Sequence, residues 1–300
     1  MPQFSAANSL GSRAPEQISS YLTDIGDLEG AKAFMLAATS GQSTTLFNNC
    51  YAQAGFMLGY IPPAAASQKL LPIVGISEIA ADKSLIGRCI KITLDKFHVH
   101  SYPGLGNHNI LCEFSGKNQV AGESEELKFA MRFKCSDQAS AAIAAAPIFL
   151  GITVGKDGIS FEGRTVNVSS DLDDTILSTL DGVAFKSGLT LLSTAQPALR
   201  PFASLASAAV AATASRKKNA QVHCFNIGLD FADGATSARL RHGSYVVVQT
   251  NSTQWKWDDF QWNSDARSLE RKAGGAPIDF NYLIVGVTEF TGTDAARATA

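Results

Sequence analysis

The chain has 300 residues, a size for one large β domain or two average ones, and a formal charge of −2 from 25 Lys+Arg and 27 Asp+Glu. That balance excludes a general nucleic-acid binder, which needs a basic surface to neutralise phosphates. A hydrophobic content of 45% excludes bulk disorder, and only 17% charged residues leaves a surface of Ala, Ser, Thr, Asn and Gly, of the kind that meets another chain.

The first residues, Met1–Pro15, have no basic residue before Arg13 and no long apolar run, so they do not form a signal peptide. Five scattered cysteines, Cys50, Cys89, Cys112, Cys135 and Cys224, lack CxxC spacing. They predict neither a disulfide framework nor a zinc ribbon, and point to a reduced, cytoplasmic protein. Ala139–Val154 and Phe202–Ala214 are apolar but too short to span a bilayer, and Pro147 and Gly151 interrupt the first.

In chain order, residues 1–70 read as an N-terminal extension, partly helical, with helices at Glu29–Ser40 and Thr45–Leu58. Residues 71–290 read as one antiparallel β domain. Its clearest strand is Glu126–Cys135, where Leu127, Phe129, Met131, Phe133 and Cys135 alternate with Lys128, Ala130, Arg132 and Lys134. Cys89–His100 and Ile110–Asn118 alternate in the same way around the loop SYPGLGNHN. Ile148–Val154 and Ile159–Val168 are joined by Gly155-Lys156-Asp157-Gly158, whose Asp-Gly predicts a tight hairpin.

The period changes at Ser170. Asp171, Asp173 and Asp174 crowd what reads as a helix N-terminus, followed by the stripe Leu172, Ile176, Leu177 and Leu180. A second, Ala-rich helix over residues 197–215 ends in Arg216, Lys217 and Lys218, so 170–218 reads as a helical pair inserted in the β domain. Strands resume at Gln221–Phe231, Gly243–Thr250, Gln254–Trp262 and Asn281–Phe290, and 291–300 form a flexible tail. This is a mainly β chain, an antiparallel β-sandwich with an inserted helical pair. By strand count and spacing it loosely resembles an eight-stranded C2-type sandwich.

Three constellations could carry chemistry. Asp171-Leu172-Asp173-Asp174-Thr175 resembles the first motif of the haloacid-dehalogenase phosphatases. The resemblance implies Asp171 as phosphoryl-accepting nucleophile and Asp173 as acid, with Mg²⁺ between them. The residues before it, Asn167-Val168-Ser169-Ser170, are not the apolar strand such a nucleophile needs, and an acidic capped helix start explains the same residues. His98 and His100 lie two apart on a strand, with His108 in the next loop, a set adequate for zinc. The same histidines also suit the wet side of a strand, and no metal or other cofactor is assigned. Trp255, Trp257, Trp262 and Phe260, beside Lys256, Asp258 and Asp259, have the composition of an aromatic hot spot with a polar rim.

The functional expectation is a non-enzymatic cytoplasmic module for protein interaction or assembly, binding a partner protein or itself through these aromatics. It would take no nucleic acid and no cofactor. One alternative is a membrane-acting protein, pore-forming or lipid-docking, that uses the helix 197–215; three flanking basic residues make that attachment weak. The other alternative is the Mg²⁺-dependent phosphatase through Asp171 and Asp173.

Overall fold

The computed structural model describes residues 4–40, 49–63, 65, 67–120, 123–169, 180, 189–190 and 218–291. Among these residues the chain is mainly β, with antiparallel sheets and two α-helices. The helices come first. α1 (Pro15–Asp24) starts with proline at its first position and buries Ile18, Tyr21 and Leu22. Its end is a Schellman turn: Gly26 sits at φ +86°, and Asp27 N–H donates to the Leu22 carbonyl at 2.8 Å. Asp27 then caps α2 (Leu28–Ser40) by accepting the Gly30 amide at 2.9 Å.

Fifteen strands are described: β1 (Phe56–Ile61), β2 (Leu70–Pro72), β3 (Val74–Gly75), β4 (Cys89–Val99), β5 (Asn107–Val120), β6 (Glu123–Ser136), β7 (Ala139–Ser140), β8 (Ala146–Thr153), β9 (Ile159–Asn167), β10 (Leu189–Thr190), β11 (Ala220–Leu229), β12 (Gly243–Gln249), β13 (Phe260–Asn263), β14 (Ser268–Arg271) and β15 (Tyr282–Glu289). A large sheet runs β10-β8-β4-β15-β12-β1-β3, with β7 beside β4. A four-stranded sheet runs β11-β9-β5-β6, and a small one β14-β13-β2. Every pairing among the described strands is antiparallel except β8 with β10.

One face of the large sheet and one face of the four-stranded sheet share the main core. Ile90, Ile92 and Leu94 of β4 and Val285 and Val287 of β15 belong to it, with Ile110, Phe114, Phe161 and Phe225 from the other sheet. Phe97 and Phe133 meet across the two sheets, ring centroids 4.7 Å apart. The small sheet covers part of the large sheet's other face. There a second core forms from Ile61, Leu71, Ile73, Val246, Val248, Phe260, Leu269, Tyr282 and Ile284. Alternate residues of β12 and β15 thus serve two different cores, which explains their nearly unbroken apolar sequences.

Several elements differ from the sequence expectation. From residue 49 on, the helix expected over Thr45–Leu58 is instead a 3-10 turn at Cys50–Ala52 followed by β1, which pairs with β12 over its whole length; residues 45–48 lie outside the described residues. The strand expected over Gln254–Trp262 is a turn and a 3-10 segment, Trp257–Asp259, leading into the short β13. The Asp157-Gly158 turn is closed by Gly158 N–H to the Gly155 carbonyl, and only Gly158 takes positive φ, at +86°. This geometry fits a turn ending in a glycine bulge rather than a two-residue hairpin, in which both central residues would be left-handed. Within 170–218, expected to be a helical pair, Leu180 is buried in the main core and Leu189–Thr190 add a strand to the large sheet's edge. The remaining residues up to 217, including Asp171, Asp173 and the helix 197–215, lie outside the described residues, as do 292–300 of the tail.

Candidate functional site

The register across the large sheet builds a groove. Pro147 of β8, Thr93 of β4, Gly286 of β15, Ser244 of β12 and Ile61 of β1 lie side by side in one row on the face away from the main core. The three central members are small, so the row is a trough crossing the strands. Ile284 and Asp95 flank it on one side, Lys91, Leu150 and Thr288 on the other, and the small sheet walls one end with Leu71 and Trp262. Pro62, Pro63, Ala144 and Ala145 complete the rim. The groove has a volume of about 1210 Å³.

Its floor holds one carboxylate. Thr93 Oγ1 donates to Asp95 Oδ1 at 2.6 Å, and burial pushes the Asp95 carboxyl above its usual range, with Thr93 and the Arg267 guanidinium acting against that rise. Only glycine fits opposite: a Cβ on Gly286 would stand 2.5 Å from Asp95 Oδ2 and 2.6 Å from Thr93 Oγ1. The rim is cationic. Lys91, Lys96 and Arg267 line the groove with Asp95, its one carboxylate among the described residues, and His242 stands at its far end. Neither Lys96 nor Arg267 has a salt bridge among the described residues. Burial and the nearby Arg267 pull the Lys96 ammonium below its usual range.

The four aromatic residues singled out in the sequence come together beside this groove. Trp262 lines it directly. Trp255 stacks on Phe260 with centroids 4.5 Å apart, and meets Trp257 and Phe280 edge-on at 5.3 and 5.2 Å. Trp257 lies over Gly59, where a Cβ would meet its ring at 2.7 Å. These contacts hold the small sheet to the large one, and the indole N–H of Trp255 is buried with no hydrogen-bond partner among the described residues. The three histidines are not brought to one point. His98 stacks on Tyr282 on the outer face of β4, and burial drives its imidazole down to a pKa of about 4. His108 is buried at the end of the four-stranded sheet, with Nε2 2.9 Å from Asp137 Oδ1. Among the described residues there is no group of three or more His, Cys, Asp or Glu placed to hold a metal.

Among the described residues, no helix is long and apolar enough to cross a membrane. No family model, curated protein or solved structure matches the chain. The reading of the site therefore rests on its own geometry.

Proposed function

We propose that the chain is a non-enzymatic protein-interaction module whose groove takes a segment of a partner protein that carries acidic residues among apolar ones. The observation that supports it best is the charge of the groove: three cations and one carboxylate line it, in a chain with a net charge of −2. Trp262, Leu71, Ile61 and the prolines offer apolar wall for side chains, and Lys96 and Arg267 offer cations for carboxylates. Trp255, Trp257 and Trp262 all pack against the second core, to which Phe260 belongs. The two sheets sharing the main core are read as layers of a sandwich, C2-like only in being antiparallel and rich in strands. Five unpaired thiols, four of them buried, favour a reducing setting such as the cytoplasm.

The test is binding of the full chain to an array of short synthetic peptides, half acidic–apolar and half basic–apolar. Acidic–apolar peptides are expected to be retained. Lys96→Glu/Arg267→Glu should weaken that binding by about fivefold to thirtyfold, since two surface ion pairs together are worth about 1–2 kcal/mol. Preference for basic peptides, or equal binding by the variant, overturns the proposal.

A further inference from the structure

The row of residues that floors the groove also measures it. Pro147, Thr93, Gly286, Ser244 and Ile61 belong to the adjacent strands β8, β4, β15, β12 and β1, so the trough crosses four interstrand gaps. At about 4.8 Å per gap it is about 19 Å long. An extended chain advances about 3.3 Å per residue, so about six residues span it. A helix would cover that length with about 13 residues, but at a diameter of about 10–12 Å it would fill about 1500 Å³ or more. The groove has about 1210 Å³.

The polar groups agree with an extended occupant. Ser244 and Thr288 bring hydroxyls to the groove, and Asp95 a carboxylate. An extended segment has backbone N–H and C=O groups that need such partners, whereas a helix bonds its own. β4, β15 and β12 are each paired on both sides, so the segment lies across the sheet and does not join it as a strand.

The groove is also polarised along its length. Lys91 and Lys96 belong to β4, and the charge of Arg267 acts on Asp95 and Lys96 of that strand. At the other end Ile61 of β1 is followed by Pro62 and Pro63, with Leu71 from the same second core as Ile61. Backbone strain gathers at the charged end. Of the three described non-glycine residues with left-handed φ, two, Ala145 and Arg267 at +51° each, line the groove. Ala145 precedes Ala146, which pairs with Leu94 of β4. Arg267 ends the loop of the β13–β14 hairpin, at a conformation that glycine or asparagine adopts more cheaply. An arginine held there at a cost to stability fits a residue kept for what it contacts.

We infer, resting on the reading of the groove as a site for acidic–apolar segments, that its occupant is an extended stretch of about six residues laid across the strands. Its carboxylates gather at the β4 end against Lys96 and Arg267, and its large apolar side chains gather at the β1 end. The test is calorimetric titration of the full chain with hexapeptides blocked at both termini: Asp-Asp-Ser-Ser-Leu-Leu, its reverse, and Asp-Leu-Ser-Ser-Leu-Asp. One of the two block orders should bind about fivefold or more tightly than the third peptide, which sets only one carboxylate against the two cations and one leucine at the apolar end. A lactam-bridged helical peptide of 13 residues, with two aspartates at one end and two leucines at the other, should bind more weakly than the better hexapeptide. Arg267→Asn should keep the melting temperature, because asparagine tolerates the left-handed turn, and weaken the better hexapeptide about twofold to fivefold. Equal binding of the third peptide, tighter binding of the helical one, or a lower melting temperature or unchanged binding in Arg267→Asn overturns the inference and leaves the groove reading standing. So does retention of acidic–apolar peptides on the array when no hexapeptide binds at millimolar concentration. An array that retains none of them overturns the groove reading itself, and this inference with it.

Discussion

Replacing Trp255 by alanine asks what the tryptophan cluster is for. The indole sits between Phe260, Trp257 and Phe280, in the layer joining the small sheet to the large one. It is partly exposed, so about 150 Å² of its surface is buried; at about 25 cal/mol per Å² that is about 4 kcal/mol, an upper bound. Correcting for a compact unfolded chain leaves about 2–3 kcal/mol, and the stacked Phe260 pair adds about 1. A loss of about 3 kcal/mol is therefore expected, read in urea as a fall of about 1 M in the midpoint at unchanged slope. Trp255→Phe should cost much less, because it keeps the ring against Phe260 and removes a buried N–H that has no acceptor among the described residues. Trp255→Ala with wild-type stability and lost peptide binding would refute the packing argument, and make the indole a direct contact for the partner.

Gly286→Ala should lower stability by about 1–2 kcal/mol and weaken the acidic–apolar peptides, since the new methyl displaces Asp95 from Thr93; urea unfolding and the peptide array read both effects. Acid should destabilise the fold through His223. Burial depresses its imidazole from 6.5 to about 3, so the unfolded chain binds the proton first; stability is full above pH 6.5 and falls as pH drops toward 3. His223→Leu should flatten that fall, which urea midpoints measured across the window would show. The raised carboxyl of Asp95 acts in the opposite sense and offsets part of it. The phosphatase alternative predicts Mg²⁺-dependent hydrolysis of an aryl phosphate, abolished by Asp171→Asn; the binding-module proposal predicts no turnover in that assay.

The strands β4, β5, β6, β8 and β9 were legible because each has alternating residues with one face on the main core. Glu126–Cys135 shows its apolar face directly, and β6 extends it by only a few residues. β1 was not legible. Phe56-Met57-Leu58-Gly59-Tyr60-Ile61 packs Tyr60 into the main core and Ile61 into the second, so it shows no period of two. The small sheet escaped because its strands are three or four residues long and are stabilised by partners distant in sequence. The tryptophans signalled an unusual aromatic concentration, but not that Trp257 has to lie over Gly59. The groove was the least legible part. Its floor takes one residue from each of five strands, and only the register puts Pro147, Thr93, Gly286, Ser244 and Ile61 in line.

The groove itself is tested most directly by a photo-cross-linker. Benzoylphenylalanine at Ala144, an exposed rim residue, is irradiated with the tightest-binding acidic–apolar peptide, and the products are mapped by mass spectrometry. The proposal predicts a cross-linked peptide in the wild-type background and its loss in Lys96→Glu/Arg267→Glu. An undiminished cross-link in that variant, or none from Ala144 while the peptide stays bound, would contradict it.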